Sequence, residues 1–135
     1  VYAEMSAPGS KVDIYDALSV RFRDGAVGTV SGAGAIPGHH RFQVDLRIFG
    51  DQGMLLLDVE RERLEIRRRD GEDFLMPITA GAGDYTCEVP PNRFVELIRG
   101  IRGDNNSSGE VAARSVELLD AAYRSAKSGQ PEHVD

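Results

Sequence analysis

The sequence predicts an α+β domain, a predominantly antiparallel, open-faced sheet with helices packed on one face to give two layers. Three observations predict it. Apolar and polar residues alternate with period two through most of the stretch from Val12 to Met76, turn residues break that stretch at short intervals, and helical periodicity arises only after Pro91.

The first strand signal runs from Val12 to Phe22. Val12, Ile14, Leu18, Val20 and Phe22 face one way, and Lys11, Asp13, Ser19, Arg21 and Arg23 face the other. Asp16 is the one intruder on the apolar side, where a carboxyl needs backbone amides or an arginine as partner. Asp24-Gly25 is a hairpin turn, and the returning strand, about Ala26 to Ile36, carries Gly28, Gly32 and Gly34. So little side-chain bulk predicts that something packs close to its backbone.

Phe42, Val44, Leu46 and Ile48 alternate with Arg41, Gln43, Asp45 and Arg47, the cleanest strand in the sequence. Gly50-Asp51-Gln52-Gly53 turns it into the apolar run Met54 to Val59, which predicts a central strand. A strand over Arg63 to Arg67 and a hairpin at Asp70-Gly71 leading into Phe74-Leu75-Met76 complete a meander. Thr79 to Pro91 reads as loop, with a short strand near Tyr85 to Val89.

A first helix opens at Pro91, with Phe94, Leu97, Ile98 and Ile101 as its apolar stripe. Ser107-Ser108-Gly109-Glu110 reads as a capping box with Ser107 as the cap. The second helix runs to about Ser128, burying Val111, Ser115, Leu118, Leu119, Ala122 and Ala126, and Gly129 and Pro131 end it. Gln130 to Val134 is a candidate edge strand. The opposite sheet face would carry Arg21, Arg23, Gln43, Asp45 and Arg47 beside Tyr15, Val27 and Phe49, a mixed surface that meets water or another subunit.

A chain of 135 residues suits one domain, taken here as residues 1–135, and is long enough to bury a core without staples. Cys87 is the only cysteine, which excludes an internal disulfide and points to the cytoplasm. A net charge of −6 argues against nucleic-acid partners, and no apolar run approaches the ~20 residues a membrane span requires. The opening Val-Tyr-Ala-Glu-Met starts directly in strand-like sequence, as a piece of a longer protein would.

Several features tempt a chemical reading. Gly32-Ala33-Gly34-Ala35-Ile36-Pro37-Gly38 has the glycines of a dinucleotide loop, but a strand follows it instead of the helix that loop requires. Gly81-Ala82-Gly83 fails on the same ground, so no cofactor site is assigned to the chain. His39 and His40, with His133 or a carboxylate, could ligate a metal, but adjacent residues at a strand start point to opposite sides, so no metal is assigned either. The two histidines are either solvent-facing loop residues or donors and proton carriers for a polar substrate. Arg67-Arg68-Arg69 lies among Glu60, Glu62, Glu65, Asp70 and Glu72, the pattern of a solvated strand end or an ion-pair rim between subunits. Cys87 reads as a passive thiol, and Tyr85 and Tyr123 as core or interface residues.

Four stretches in order resemble the carboxy-terminal domain of the Gfo/Idh/MocA oxidoreductases, relatives of glucose–fructose oxidoreductase and inositol dehydrogenase. They are the hairpin from Asp16 to Thr29, the I-x-G-x-x-G-x-L hairpin of Ile48, Gly50, Gly53 and Leu55, the short helix from Pro91 to Ile98, and the closing helix from Gly109 to Ala126. The resemblance spans nearly the whole chain. It implies a parent enzyme that transfers hydride between NAD or NADP and a sugar, cyclitol or related polyol, with an amino-terminal Rossmann domain as partner. The family's Glu-Lys-Pro and Asp-x-x-x-His motifs are absent here: Lys11 and Lys127 precede Val and Ser, and no histidine has an aspartate four positions earlier. No catalytic or cofactor residue is therefore carried over, and the fragment alone is expected to be inactive. The resemblance does carry over a substrate-lining role for His39, His40 and Phe42 and homo-oligomerisation through the open sheet face. The alternative is a stand-alone binding or assembly module with this fold and no catalytic activity.

Overall fold

The computed structural model describes residues 1–35, 44–59, 61–82 and 87–134. Its elements, in chain order, are β1 (Tyr2–Ser6), β2 (Tyr15–Arg21), β3 (Val27–Ala33), β4 (Asp45–Phe49), β5 (Gly53–Asp58), β6 (Arg63–Arg68), β7 (Phe74–Met76), α1 (Val89–Ile98) and α2 (Gly109–Ser128). The fold is α+β, as the sequence predicts. The strands form two antiparallel ladders, β1-β2-β3 and β4-β5-β6-β7. The chain divides into two compact units, Val1–Pro37 with Gly103–Asp135, and Gly38–Arg102.

In the first unit, the Asp24-Gly25 hairpin forms where expected. Gly25 takes φ +93°, a conformation that costs glycine little, and the Asp24 carboxylate accepts the Ala26 amide at 3.0 Å. The register sets Ala3, Leu18 and Val30 in one row and Met5, Asp16 and Gly32 in the next. The glycines of β3 answer to side chains of the neighbouring strand. A Cβ at Gly28 would stand 3.4 Å from the Phe22 ring, and one at Gly32 would stand 3.5 Å from the Asp16 carboxylate. β2 begins only at Tyr15, not at Val12. The bond from the Ile14 amide to the Ser6 carbonyl (2.8 Å) closes the β1–β2 connection, and Val12 stays exposed outside it.

Helix α2 packs on β1, with Ala3, Leu18 and Ala122 as the buried core and Val1, Met5 and Ala126 beside them. Its buried positions are Ala121, Ala122 and Ser125, while Val111 and Leu119 are exposed. Length explains the difference from the expected stripe. Twenty helical residues span about 30 Å and five strand residues about 17 Å, so only the carboxy-terminal half of α2 meets β1. The amino-terminal cap is Ser108, whose hydroxyl accepts from the Val111 amide at 3.3 Å. Ser107, the expected cap, instead donates its amide to the Asn105 side chain at 3.1 Å. Gly129, at φ +68°, closes the helix as predicted. The proposed edge strand over Gln130 to Val134 is reduced to one reciprocal pair, Val1 with Glu132, at 2.7 and 2.8 Å.

In the second unit, β5 is an interior strand, as its apolar run predicts. Two cross-strand rows, Leu46-Leu57-Leu64-Met76 and Ile48-Leu55-Ile66-Phe74, make one face wholly apolar over these positions. The opposite face carries Arg47, Leu56 and Glu65 in one row and Asp45, Asp58 and Arg63 in another. Helix α1 begins at Val89, because Pro90 and Pro91 fit a first turn, where amide donors have no partner to lose. It buries no residue, and Phe94, Ile98 and Ile101 are exposed. Of the expected strand near Tyr85 to Val89, the first two residues lie outside the described residues.

Candidate functional site

His39, His40 and Phe42 all lie outside the described residues. Among the described residues no group of three or more His, Cys, Asp or Glu side chains is placed to hold a metal ion. No helix among them is long and apolar enough to cross a membrane. Cys87 is exposed. His133 is exposed, and its carbonyl accepts from the Arg124 guanidinium at 3.2 Å.

The polar contact that the fold assembles in the first unit joins Asp13 and Tyr123, with Asp16 three residues on at the start of β2. The Tyr123 hydroxyl, on the packed half of α2, donates to Asp13 Oδ1. Asp16 was expected to be satisfied by backbone amides or an arginine. Instead, its Oδ1 is buried without a hydrogen-bond partner among the described residues. Its neighbours across the ladder, Met5 and Gly32, offer no side-chain donor.

The electrostatics follow from this placement. The Tyr123 hydroxyl holds the Asp13 carboxyl below the usual aspartate range, and the same bond raises Tyr123. Burial pushes Asp16 up, and the charge of Asp13 adds to the shift. Asp13 and Tyr123 also line a shallow concavity of about 530 Å³ between the β1–β2 connection and α2. Lys11 and Lys127, the only lysines of the chain, stand on its wall.

The arginine-rich run of β6 is an ion-pair network. Glu65, only 7% exposed, accepts from Arg63 and Arg67, each at 2.9 Å. Arg67 also reaches Asp73 at 2.7 Å. Arg68 holds Asp70 down at about 2. These arginines already have carboxylate partners within the same strand and hairpin, as the solvated strand end of the two expected readings would.

No family model matches the chain, and no curated protein matches it. Two solved structures share its fold across 96% of its length. One is a Thermotoga maritima protein assigned as an oxidoreductase, with TM-score 0.71 and 19% identity. The other is an oxidoreductase from Agrobacterium radiobacter in complex with NAD+, L-tartaric acid and magnesium, with TM-score 0.66 and 20% identity. The chain spans 38% of the first protein and 41% of the second.

The fit to a nicotinamide can be judged from the ladders. Every strand pairing among the described residues is antiparallel, and none builds the strand–glycine loop–helix unit that cradles a pyrophosphate. Gly32 and Gly34 instead follow the contour of β2, with the Gly34 amide donating to Ile14 at 2.7 Å. These residues do not fit the cofactor, and no step through it is assigned to them.

Proposed function

We propose that this chain is the substrate-binding and oligomerisation domain of a cytoplasmic, NAD- or NADP-dependent oxidoreductase of the Gfo/Idh/MocA type, acting on a sugar, cyclitol or related polyol. The observation that carries the reading is the whole-chain match in fold to parts of two larger proteins described as oxidoreductases. The four ordered sequence motifs agree with it. So does the polyhydroxylated acid in the Agrobacterium radiobacter complex, whose chemistry resembles that of a small polyol.

In this reading the redox machinery and the nicotinamide site belong to a Rossmann domain on other polypeptide, and this domain supplies recognition and assembly. His39 and His40 donate to or accept from substrate hydroxyls, and Phe42 lines the same loop. The mixed faces of the two ladders, with Tyr15 and Val27 exposed on the first and Phe49 on the second, are the surfaces that would meet a second copy.

The test is turnover by the full-length protein against a polyol panel, with His39→Ala and His40→Ala as variants. At least one variant is expected to lose kcat/KM about tenfold or more on the best substrate, the size of one lost polar contact, with the affinity for nicotinamide nucleotide unchanged. Unaltered kinetics in both variants would remove the substrate-loop assignment. A full-length protein that turns over no polyol with either nucleotide would remove the reading itself.

A further inference from the structure

We propose that the concavity between the β1–β2 connection and α2 is a binding site for a small hydroxylated carboxylate. Lys11 and Lys127 hold the carboxylate, Asp13 accepts from a hydroxyl of the ligand, and Met5, Val12 and Ala126 pack against its carbon skeleton. The site shares no residue with the histidine loop of the proposed function, so it stands or falls apart from that reading.

The two lysines carry the argument. They are the only ones in the chain, they come from opposite ends of it, and both line the one concavity. Neither has a hydrogen-bond or ion-pair partner among the described residues. The arginines of α2 do have them. Arg114 pairs with Glu117 at 2.7 Å, and Arg124 takes Asp120 and, at 3.4 Å, Glu132. The acids nearest Lys127 in sequence are thus occupied, and its ammonium stays open to an outside anion. Lys127 also suits the carbonyl end of α2, a role that needs no ligand, but Lys11 lies in the β1–β2 connection and belongs to no helix. Two ammoniums against one carboxylate give the concavity a positive balance in a chain of net charge −6.

Asp13 sets the ligand class. A bare anion would meet its carboxylate as well as the lysines, whereas a hydroxyl donates to it. A carboxylate offers about four acceptor positions, and the Tyr123 hydroxyl fills one of them, on Oδ1. That bond also anchors Asp13 to α2, so the acceptor is held in place before a ligand arrives. A molecule with a carboxylate at one end and hydroxyls along its chain therefore satisfies all three charged groups, and its carbons meet the apolar lining instead of water. The volume of about 530 Å³ is that of a small-molecule site.

Methyl spectra of the full-length protein labelled at alanine read the site locally, because Ala7 and Ala126 line it. Three probes share one carbon skeleton: glycerate carries both groups, propionate only the carboxylate, and glycerol only the hydroxyls. At constant ionic strength, glycerate is expected to shift both methyls saturably, with Kd on the order of 1 mM. Propionate and glycerol should each bind about threefold more weakly or worse, the scale of one lost polar contact. Lys11→Gln and Lys127→Gln should each weaken glycerate about twofold to fivefold, the scale of one exposed charged contact. Both lysines are exposed, so neither variant threatens the fold. The proposal is overturned by the absence of a saturable shift at these two methyls, by equal affinity for propionate, or by undiminished glycerate binding in both lysine variants. A shift confined to other alanines reports binding elsewhere and overturns it too.

Discussion

Ser125 is wholly buried yet polar, and its hydroxyl serves two backbone groups. It accepts from the Ala3 amide at 3.0 Å and donates to the Gln130 carbonyl at 2.7 Å, so one side chain ties β1, α2 and the carboxy-terminal segment together. Ser125→Ala leaves the buried Ala3 amide and the part-buried Gln130 carbonyl without their partner and is expected to destabilise the first unit by about 1–3 kcal/mol. Urea unfolding followed by a probe in that unit checks this, and an unchanged midpoint would contradict it. In the sequence Ser125 looks like any serine near a helix end, because its role depends on residues far from it along the chain. Asp16 was legible as a misfit, since a carboxyl on an apolar face needs an explanation. The outcome was not legible: its Oδ1 is buried without a hydrogen-bond partner among the described residues, while Tyr123, which reads only as a core or interface residue, bonds Asp13 instead.

Hairpins were the most legible elements, because their chemistry is local. Asp24-Gly25, the Gly50 to Gly53 turn and Asp70-Gly71 all turn the chain where the sequence places them. Of the two motif glycines at 50 and 53, only one is forced by space. A Cβ on Gly53 would stand 2.1 Å from the Arg67 carbonyl oxygen, whereas one on Gly50 would meet only the Gly53 carbonyl at 3.8 Å. Gly53→Ala is therefore expected to lower stability by about 1–3 kcal/mol or more, and Gly50→Ala to have a much smaller effect. Paired thermal melts test the contrast, and equal losses would contradict it. Helix faces were less legible. Periodicity marked the apolar residues of α2 but not where β1 stops, and that end point decides that Ala121 and Ser125 are buried while Val111 is not. Likewise, the stripe on α1 was visible, but Phe94 and Ile98 remain exposed in the fold.

At the scale of the molecule, the α+β class was readable because alternation, turn spacing and late helices all agree. The division into two ladders was not, since each strand's pattern fixes its faces but leaves its partners open. The wholly apolar rows across β4 to β7 and the mixed face behind them, where Leu56 and Met54 stand among Arg47, Glu65 and Arg67, give this unit two chemically distinct surfaces. The central claim is that recognition and assembly reside in this chain while nicotinamide is bound elsewhere in the parent enzyme. Calorimetric titration of NAD+ and NADP+ into the 135-residue chain and into the full-length protein tests it most directly. The account predicts saturable heat with one nucleotide for the full-length protein and none for the chain alone. Tight binding by the chain alone would contradict it.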